Sequence, residues 1–348
     1  MQTVNDLETP TVLIDMDIVE RNIAEMQKRC DDLGIHFRPH IKTHKIPAFA
    51  HMQLAAGASG IACQKVSEAE VFADAGITDI QIPYNIVGER KTARLAQLAK
   101  RVTLTVTADS APVIDGIAAA AHAHDARIHM MVELVALNRR TGTTPQTALE
   151  LAKRIVGHKN LDFAGIMIYP SNVGVRPRLQ ETLQLLADAD IAVKTVSGGG
   201  SGAALEVAQM PELTELRVGT YIFYDFRSVM MGWAKLENCA MTVKATVVSA
   251  NEPDRVILDS GSKTLTSELV NSTHGYIVEY PEATLYRLNE EHGFVDMSAY
   301  ETLPTVGEAV HIIPVHTCVV TNMHNQVYAV RGEAVEQPYP VAARGLVW

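Results

Sequence analysis

From residue 36 onward the chain repeats one pattern. Short β-rich runs alternate with Ala/Leu-rich amphipathic segments, and this rhythm constrains the fold more than any other feature. Strands are expected at 36–42 (HFRPHIK), 60–65 (GIACQK), 79–85 (DIQIPYN), 102–107, 127–134, 162–169, 193–198 and 216–223. Helical periodicity falls between them, for example at 88–100 and at 144–156, where a Thr cap precedes an Ala/Leu face. A further amphipathic segment, 17–34, comes before the first of these strands. Eight alternations with largely apolar, non-alternating strands predict an α/β fold, a parallel (β/α)8 TIM-type barrel. A doubly wound open sheet is the alternative arrangement.

Near residue 237 the rhythm changes to β-rich runs broken by turns, such as CAMTVKATVVSA, RVILDSG and HIIPVHTCVVTNM. This predicts an antiparallel β domain over 237–348 behind a barrel over 1–236, with residues 1–16 a candidate extra strand for the β domain. With 348 residues, 47% of them hydrophobic, the chain can bury a core of that size. A formal net charge of −10 argues against nucleic acid or a membrane surface as the main partner, but not against a small anionic ligand. The four cysteines (Cys30, Cys63, Cys239, Cys318) form no CxxC pair and no disulfide framework. With no signal-peptide pattern and no apolar run of membrane-spanning length, a cytoplasmic protein is expected.

Reactive groups in such a barrel gather at the C-terminal ends of its strands. Lys42, in RPHIKTHK, would end the first strand. A lysine there can form a Schiff base when burial or nearby cations depress its pKa, and Arg38, His40, His44 and Lys45 would supply that positive field. A solvated strand-exit lysine is the bland alternative. The run SGGGSG (197–202) follows the seventh strand, where converging backbone N–H groups can cradle a phosphate; a flexible turn is the competing reading. In HTC, His316 and Cys318 sit at i and i+2. On a strand they would share a face and could bind one borderline metal, or pack as an ordinary core pair. Gln64, Arg140, Tyr169 and Tyr221 lie at or just beyond strand ends, where they could touch a cofactor or simply pack.

The order of TPTVLIDMDIVERNIAEM, RPHIKTHK, GIACQKVSEAEVFADAGITDI, SGGGSG, GTYIFYD, VILDSGSKTLTSE, EEHG and PVHTCVVTNMHN resembles the D-threonine aldolase / D-serine dehydratase family. The likeness runs over nearly the whole chain. It implies an alanine-racemase-like fold carrying pyridoxal 5′-phosphate, with Lys42 bonded to the cofactor. It further implies Gly199, Gly200 and Ser201 at the phosphate, and Tyr169 and Tyr221 near the cofactor; His40, Gln64 and Thr195 complete the expected cofactor set. The pair His316/Cys318 would hold a divalent metal, Zn2+ favoured by the thiol, with Mn2+ or Mg2+ as alternatives. His292, in EEHG, is a candidate acid/base beside Lys42, and a homodimer is implied.

The expected substrate is a small D-β-hydroxy amino acid, cleaved in a retro-aldol sense to glycine and an aldehyde. The alternatives are dehydratase-type β-elimination to a 2-oxo acid and ammonia, a racemase of the same fold, and a non-catalytic cofactor-binding protein. Two departures concern the substrate pocket. Val135 stands where the family block VExDxGxxRxG has an acidic residue, and no His-Gly follows Tyr169.

Overall fold

The computed structural model describes residues 2–348, which form two compact units. One comprises Met26–Lys42, Pro47–Gly219 and Leu346–Trp348; the other comprises residues up to Glu25, Thr43–Ile46 and Thr220–Gly345. Each is assembled from separate stretches of chain, and α1 begins in one unit and ends in the other.

The chain starts with β1 (Thr11–Asp15) and α1 (Met16–Asp32). Along α1, Val19, Ile23, Met26 and Cys30 are buried at three- and four-residue spacing, which lines them up on one face.

The α/β unit contains eight parallel strands: β2 (His36–Phe37), β3 (Ile61–Ala62), β4 (Asp79–Ile82), β5 (Thr103–Ala108), β6 (Ile128–Leu134), β7 (Leu161–Ile168), β8 (Thr195–Gly199) and β9 (Glu215–Arg217). Their order is β2-β9-β8-β7-β6-β5-β4-β3. The two ends meet where His40 bridges Ala62 and the Ala62 N–H donates to the Pro39 carbonyl at 2.8 Å. The expected barrel therefore forms and closes. β6 and β7 are buried along most of their length, as strands covered on both faces must be. Several strands are shorter than their apolar runs suggest. β2 spans only His36–Phe37, although the Arg38 and His40 N–H groups beyond it still donate to the Leu216 and Val218 carbonyls at 3.0 and 2.9 Å.

The helices α2 (Pro47–Ala55), α3 (Val66–Asp74), α4 (Glu89–Leu98), α5 (Ala111–Ala123), α6 (Pro145–Val156), α7 (Arg176–Asp188) and the short α8 (Ala203–Glu206) connect the strands. In α6 the Thr144 hydroxyl accepts from the Thr147 N–H, Pro145 occupies the first turn, and Ala148, Leu151, Ala152 and Ile155 form the buried face. Each buried Leu or Ile contributes about 1.5–3 kcal/mol relative to exposure.

The second unit is a β-sheet with three short helices: α9 (Phe226–Met230), α10 (Ser262–Leu265) and α11 (Thr317–Met323). Its later strands are β10 (Met241–Glu252), β11 (Arg255–Leu258), β12 (Gly275–Ile277), β13 (Thr284–Leu288), β14 (Gly293–Asp296), β15 (Ala309–Pro314), β16 (Gln326–Arg331) and β17 (Ala334–Pro340). β1 lies inside this sheet, antiparallel to β10 and parallel to β16; all the other pairings are antiparallel. Val4, Leu7, Leu13, Val330 and Val335 form a core cluster beside it. Among the described residues, no helix is long and apolar enough to cross a membrane.

Candidate active site

Lys42 does not end a strand. It lies in a 3-10 turn, Ile41–Thr43, that follows β2, and it is half-buried. The turn is set by His40, whose Nδ1 accepts from the Lys42 N–H at 3.4 Å while its Nε2 faces Gln64 Oε1 at 3.0 Å. Because Nδ1 accepts and the amide oxygen can only accept, the proton resides on Nε2. His40 thereby ties Gln64, just beyond β3, to the lysine turn.

The Lys42 amine lies 5.8 Å from the centroid of the Tyr169 ring, and the Arg140 guanidinium lies 4.6 Å from the same ring. Tyr169 immediately follows β7 and precedes a cis bond to Pro170. Gly199 ends β8 beside it: a Cβ on Gly199 would come within 3.5 Å of Tyr169 Cδ2 and 2.6 Å of the Arg217 carbonyl oxygen. Gly200 has φ +115°, and a Cβ there would reach Pro170 Cβ at 3.3 Å. Ser201 and Gly202 continue the turn into α8. Thus Lys42, Tyr169 and the glycine loop converge, Gly199 at the C-terminal end of its strand and the others beyond theirs. Thr195 does not join them, because it opens β8 and so lies at the opposite end of that strand.

The basic cluster is dispersed, contrary to the expected positive field around Lys42. Arg38 is buried between Glu215 and Asp79, each at 2.7 Å. Burial works against its charge, but those two carboxylates outweigh the penalty and hold the guanidinium above its ordinary pKa. Glu215 also accepts from the Ser197 hydroxyl at 2.6 Å, and Ser197 Oγ accepts from Arg217 Nε at 2.7 Å. Arg217 is wholly enclosed; burial lowers its pKa to about 10, with Glu215 and Glu133 opposing. Lys45 turns to Asn322 Oδ1 at 2.8 Å, and His44 Nδ1 accepts from the Ile46 N–H at 3.0 Å. Among the described residues, no ion pair to Lys42 is present, so its amine is not tied up by a carboxylate.

In the β unit, His316 and Cys318 are not on a strand. His316 caps the N-terminus of α11 and Cys318 lies in its first turn. A helix start nonetheless brings them together, and the imidazole hydrogen bonds the thiol. The Cys318 sulfur also lies 3.2 Å from Thr43 Oγ1, within hydrogen-bonding distance of that hydroxyl. His316 Nδ1 lies 2.9 Å from Glu268 Oε1, and Glu268 Oε2 accepts from Arg227 at 2.7 Å. Burial pulls the His316 pKa down, but the bond to Cys318 and its charge, then those of Glu268, raise it to about 9. Asp225 is buried nearby in sequence, capping α9 through the Ser228 N–H at 2.8 Å; burial raises its carboxyl pKa. Tyr221 lies in a 3-10 turn, Thr220–Ile222, and is fully buried. His292 is exposed in the β13–β14 turn. Glu268, Arg227 and Thr43 were not singled out from the sequence, and only the run TLTSE hinted at Glu268.

The residues fit both groups implied by the family likeness. A lysine without an ion-pair partner, an aromatic ring beside it and a glycine turn too tight for side chains suit a phosphate-bearing carbonyl cofactor. One imidazole, turned by a carboxylate at Nδ1, and one thiol suit a borderline cation such as Zn2+. Among the described residues no group of three or more His, Cys, Asp or Glu side chains is placed to hold a metal.

The fold and these residues define a barrel enzyme with a lysine at its mouth and an appended β unit. The chain belongs to the alanine racemase N-terminal domain family, which it matches over residues 14–226, and it matches the serine dehydratase domain over 240–330. It is 34% identical to the D-threonine aldolase of an Arthrobacter species, over 97% of this chain and 93% of that one. It is 29% identical to the D-threo-3-hydroxyaspartate dehydratase of Delftia sp. HT23, over 91% of this chain and 92% of that one. The crystal structure of D-threonine aldolase from Filomicrobium marinum superposes with a TM-score of 0.89 at 32% identity, covering 100% of this chain and 98% of that one. The chain is an enzyme, a lyase like these relatives.

Proposed function

We propose that this protein is a pyridoxal 5′-phosphate- and divalent-metal-dependent lyase that cleaves D-β-hydroxy amino acids to glycine and an aldehyde. The convergence of Lys42, Tyr169 and the Gly199–Gly200 turn carries the cofactor assignment. The 34% identity to a D-threonine aldolase supports the cleavage chemistry.

In this reading Lys42 holds the cofactor and Tyr169 lies against it. The Gly199 and Gly200 N–H groups already donate to Ser171 Oγ at 3.0 Å and to the Arg217 carbonyl at 3.2 Å, so these two glycines would leave room for the phosphate while Ser201 supplies the backbone N–H. His316 and Cys318 would hold the metal. When bound, the cofactor supplies an electron sink at the substrate α-carbon, and the metal polarises the β-oxygen. The protein then decides which proton leaves. Removing the β-hydroxyl proton breaks Cα–Cβ and releases an aldehyde and glycine. Removing the α-proton, for which the Lys42 amine is suited, expels the β-hydroxyl and yields a 2-oxo acid and ammonia. The thiol of Cys318 and the 29% identity to a dehydratase favour this second outcome as the alternative. His292 makes no side-chain hydrogen bond among the described residues and is given no step. A homodimer belongs to the same reading, supported by the exposed Met230, Met231 and Leu236.

The test is incubation of the purified protein with D-threonine, pyridoxal phosphate and Zn2+ or Mn2+, with and without EDTA. Glycine plus acetaldehyde, lost on chelation, is expected. Ammonia plus 2-oxobutanoate selects the dehydratase reading, and turnover of no D-β-hydroxy amino acid overturns both. Lys42→Ala should abolish the visible cofactor absorbance and lower the rate by roughly 10²–10⁴-fold through its proton-transfer role alone.

A further inference from the structure

Glu268 sits in the loop after α10 and uses every hydrogen-bonding group it has. Its Oε1 accepts from His316 Nδ1 at 2.9 Å and its Oε2 from Arg227 Nη2 at 2.7 Å. Its carbonyl oxygen accepts from His274 Nδ1 at 2.9 Å, and its own N–H donates to Thr266 Oγ1 at 3.4 Å. Thr266 has φ +77°, so the chain is bent sharply just before Glu268. A carboxylate held at backbone and at both oxygens cannot rotate away from its histidine.

We propose that Glu268 is the positioning residue of the metal pair, and that Arg227 fixes it in that role. This rests on the reading of His316 and Cys318 as metal ligands. A carboxylate accepting at Nδ1 puts the imidazole proton there and leaves the Nε2 lone pair for a cation. It also fixes the ring plane. His316 is the cap of α11, so its backbone is extended, with φ −146° and ψ 99°, and the helix does not dictate where the ring points. Glu268 supplies that direction. Arg227 bonds the other oxygen from α9, so three separate segments of the β unit set one imidazole.

The experiment measures Zn2+ affinity by competition with a chromophoric chelator, and follows the thiolate-to-metal absorption with Co2+. The unsubstituted protein should take up one Zn2+, and His316→Ala should lose it. Glu268→Ala should bind Zn2+ about 10–100-fold more weakly. Glu268→Gln retains an oxygen that accepts from Nδ1, so it should recover most of that loss while keeping the Co2+ band. Arg227→Met should weaken binding by less than Glu268→Ala, with thermal melts confirming that each variant folds. Unchanged Zn2+ affinity in folded Glu268→Ala, or equal losses in the Ala and Gln variants, would overturn the role of Glu268 while leaving the metal pair standing. Zn2+ uptake that is absent, or indifferent to His316→Ala, would overturn the metal reading and this inference with it.

Discussion

The Cys318 sulfur hydrogen bonds with the Thr43 hydroxyl across 3.2 Å, and Thr43 is the residue that follows Lys42 in the chain. Cys318 is half-buried, whereas Cys30, Cys63 and Cys239 are buried. Burial pushes the Cys30 and Cys239 thiols up to about 12, so they carry almost no thiolate at pH 8. One thiol should therefore react quickly with a chromogenic disulfide in the native protein. Cys318→Ser should remove that reaction and Zn2+ should slow it. Fast reaction of a thiol that survives in Cys318→Ser would contradict the burial described.

Gly200 adopts φ +115°, where a side chain is strained, and a Cβ would press on Pro170. Gly200→Ala should cost about 1–3 kcal/mol locally. If the loop cradles the cofactor phosphate, this appears as a rise of roughly tenfold in the cofactor Kd, read by absorbance titration of the apo-protein. An unchanged Kd would remove this loop from the cofactor site.

Arg38 balances the buried Glu215 as well as Asp79. Removing one member of a buried pair leaves the other charge uncompensated, at about 3–5 kcal/mol. Arg38→Met should lower urea stability at pH 7 by that order. Adding Glu215→Gln should return part of the loss, because the stranded charge goes with it. Additive losses in the double variant would show that the two residues are not coupled.

His324 is partly enclosed, with Nε2 3.2 Å from the Thr264 carbonyl. Burial, assisted by Arg344, holds its pKa below the ordinary 6.5, against the pull of that hydrogen bond. The unfolded chain thus binds the proton more readily than the folded one. The stability tied to neutral His324 is complete above pH 6.5 and is lost as pH falls through the lower folded value. Urea midpoints measured from pH 7.5 down to 5.5 should drop less steeply in His324→Gln. Parallel curves would refute the assignment.

Periodicity along the chain determined the barrel, because the apolar positions of strands covered on both faces and of one-sided helices repeat locally. The helices α4, α6 and α1 were legible for that reason, as was the order of the motifs that mark the family. Local pattern also placed Lys42, Tyr169 and the glycine run near strand ends. It could not place His316 and Cys318 correctly. An i, i+2 pair reads as one face of a strand, whereas here a helix cap unites the two side chains. Nor could it show that Arg38 and Lys45 turn away to Glu215 and Asn322, since those partners lie 177 and 277 residues along the chain. Thr195 and Gly199 share a short strand, and only the direction of β8 decides which of them faces the mouth. Glu268 had no sequence signal beyond its place in the run TLTSE. Its meaning comes from tertiary placement, which brings one carboxylate within hydrogen-bonding distance of Arg227 and His316 at once. Residue types and their spacing determined which chemistry this chain carries. Long-range packing decided which groups meet, because a hydrogen bond depends on distance in space and not along the chain.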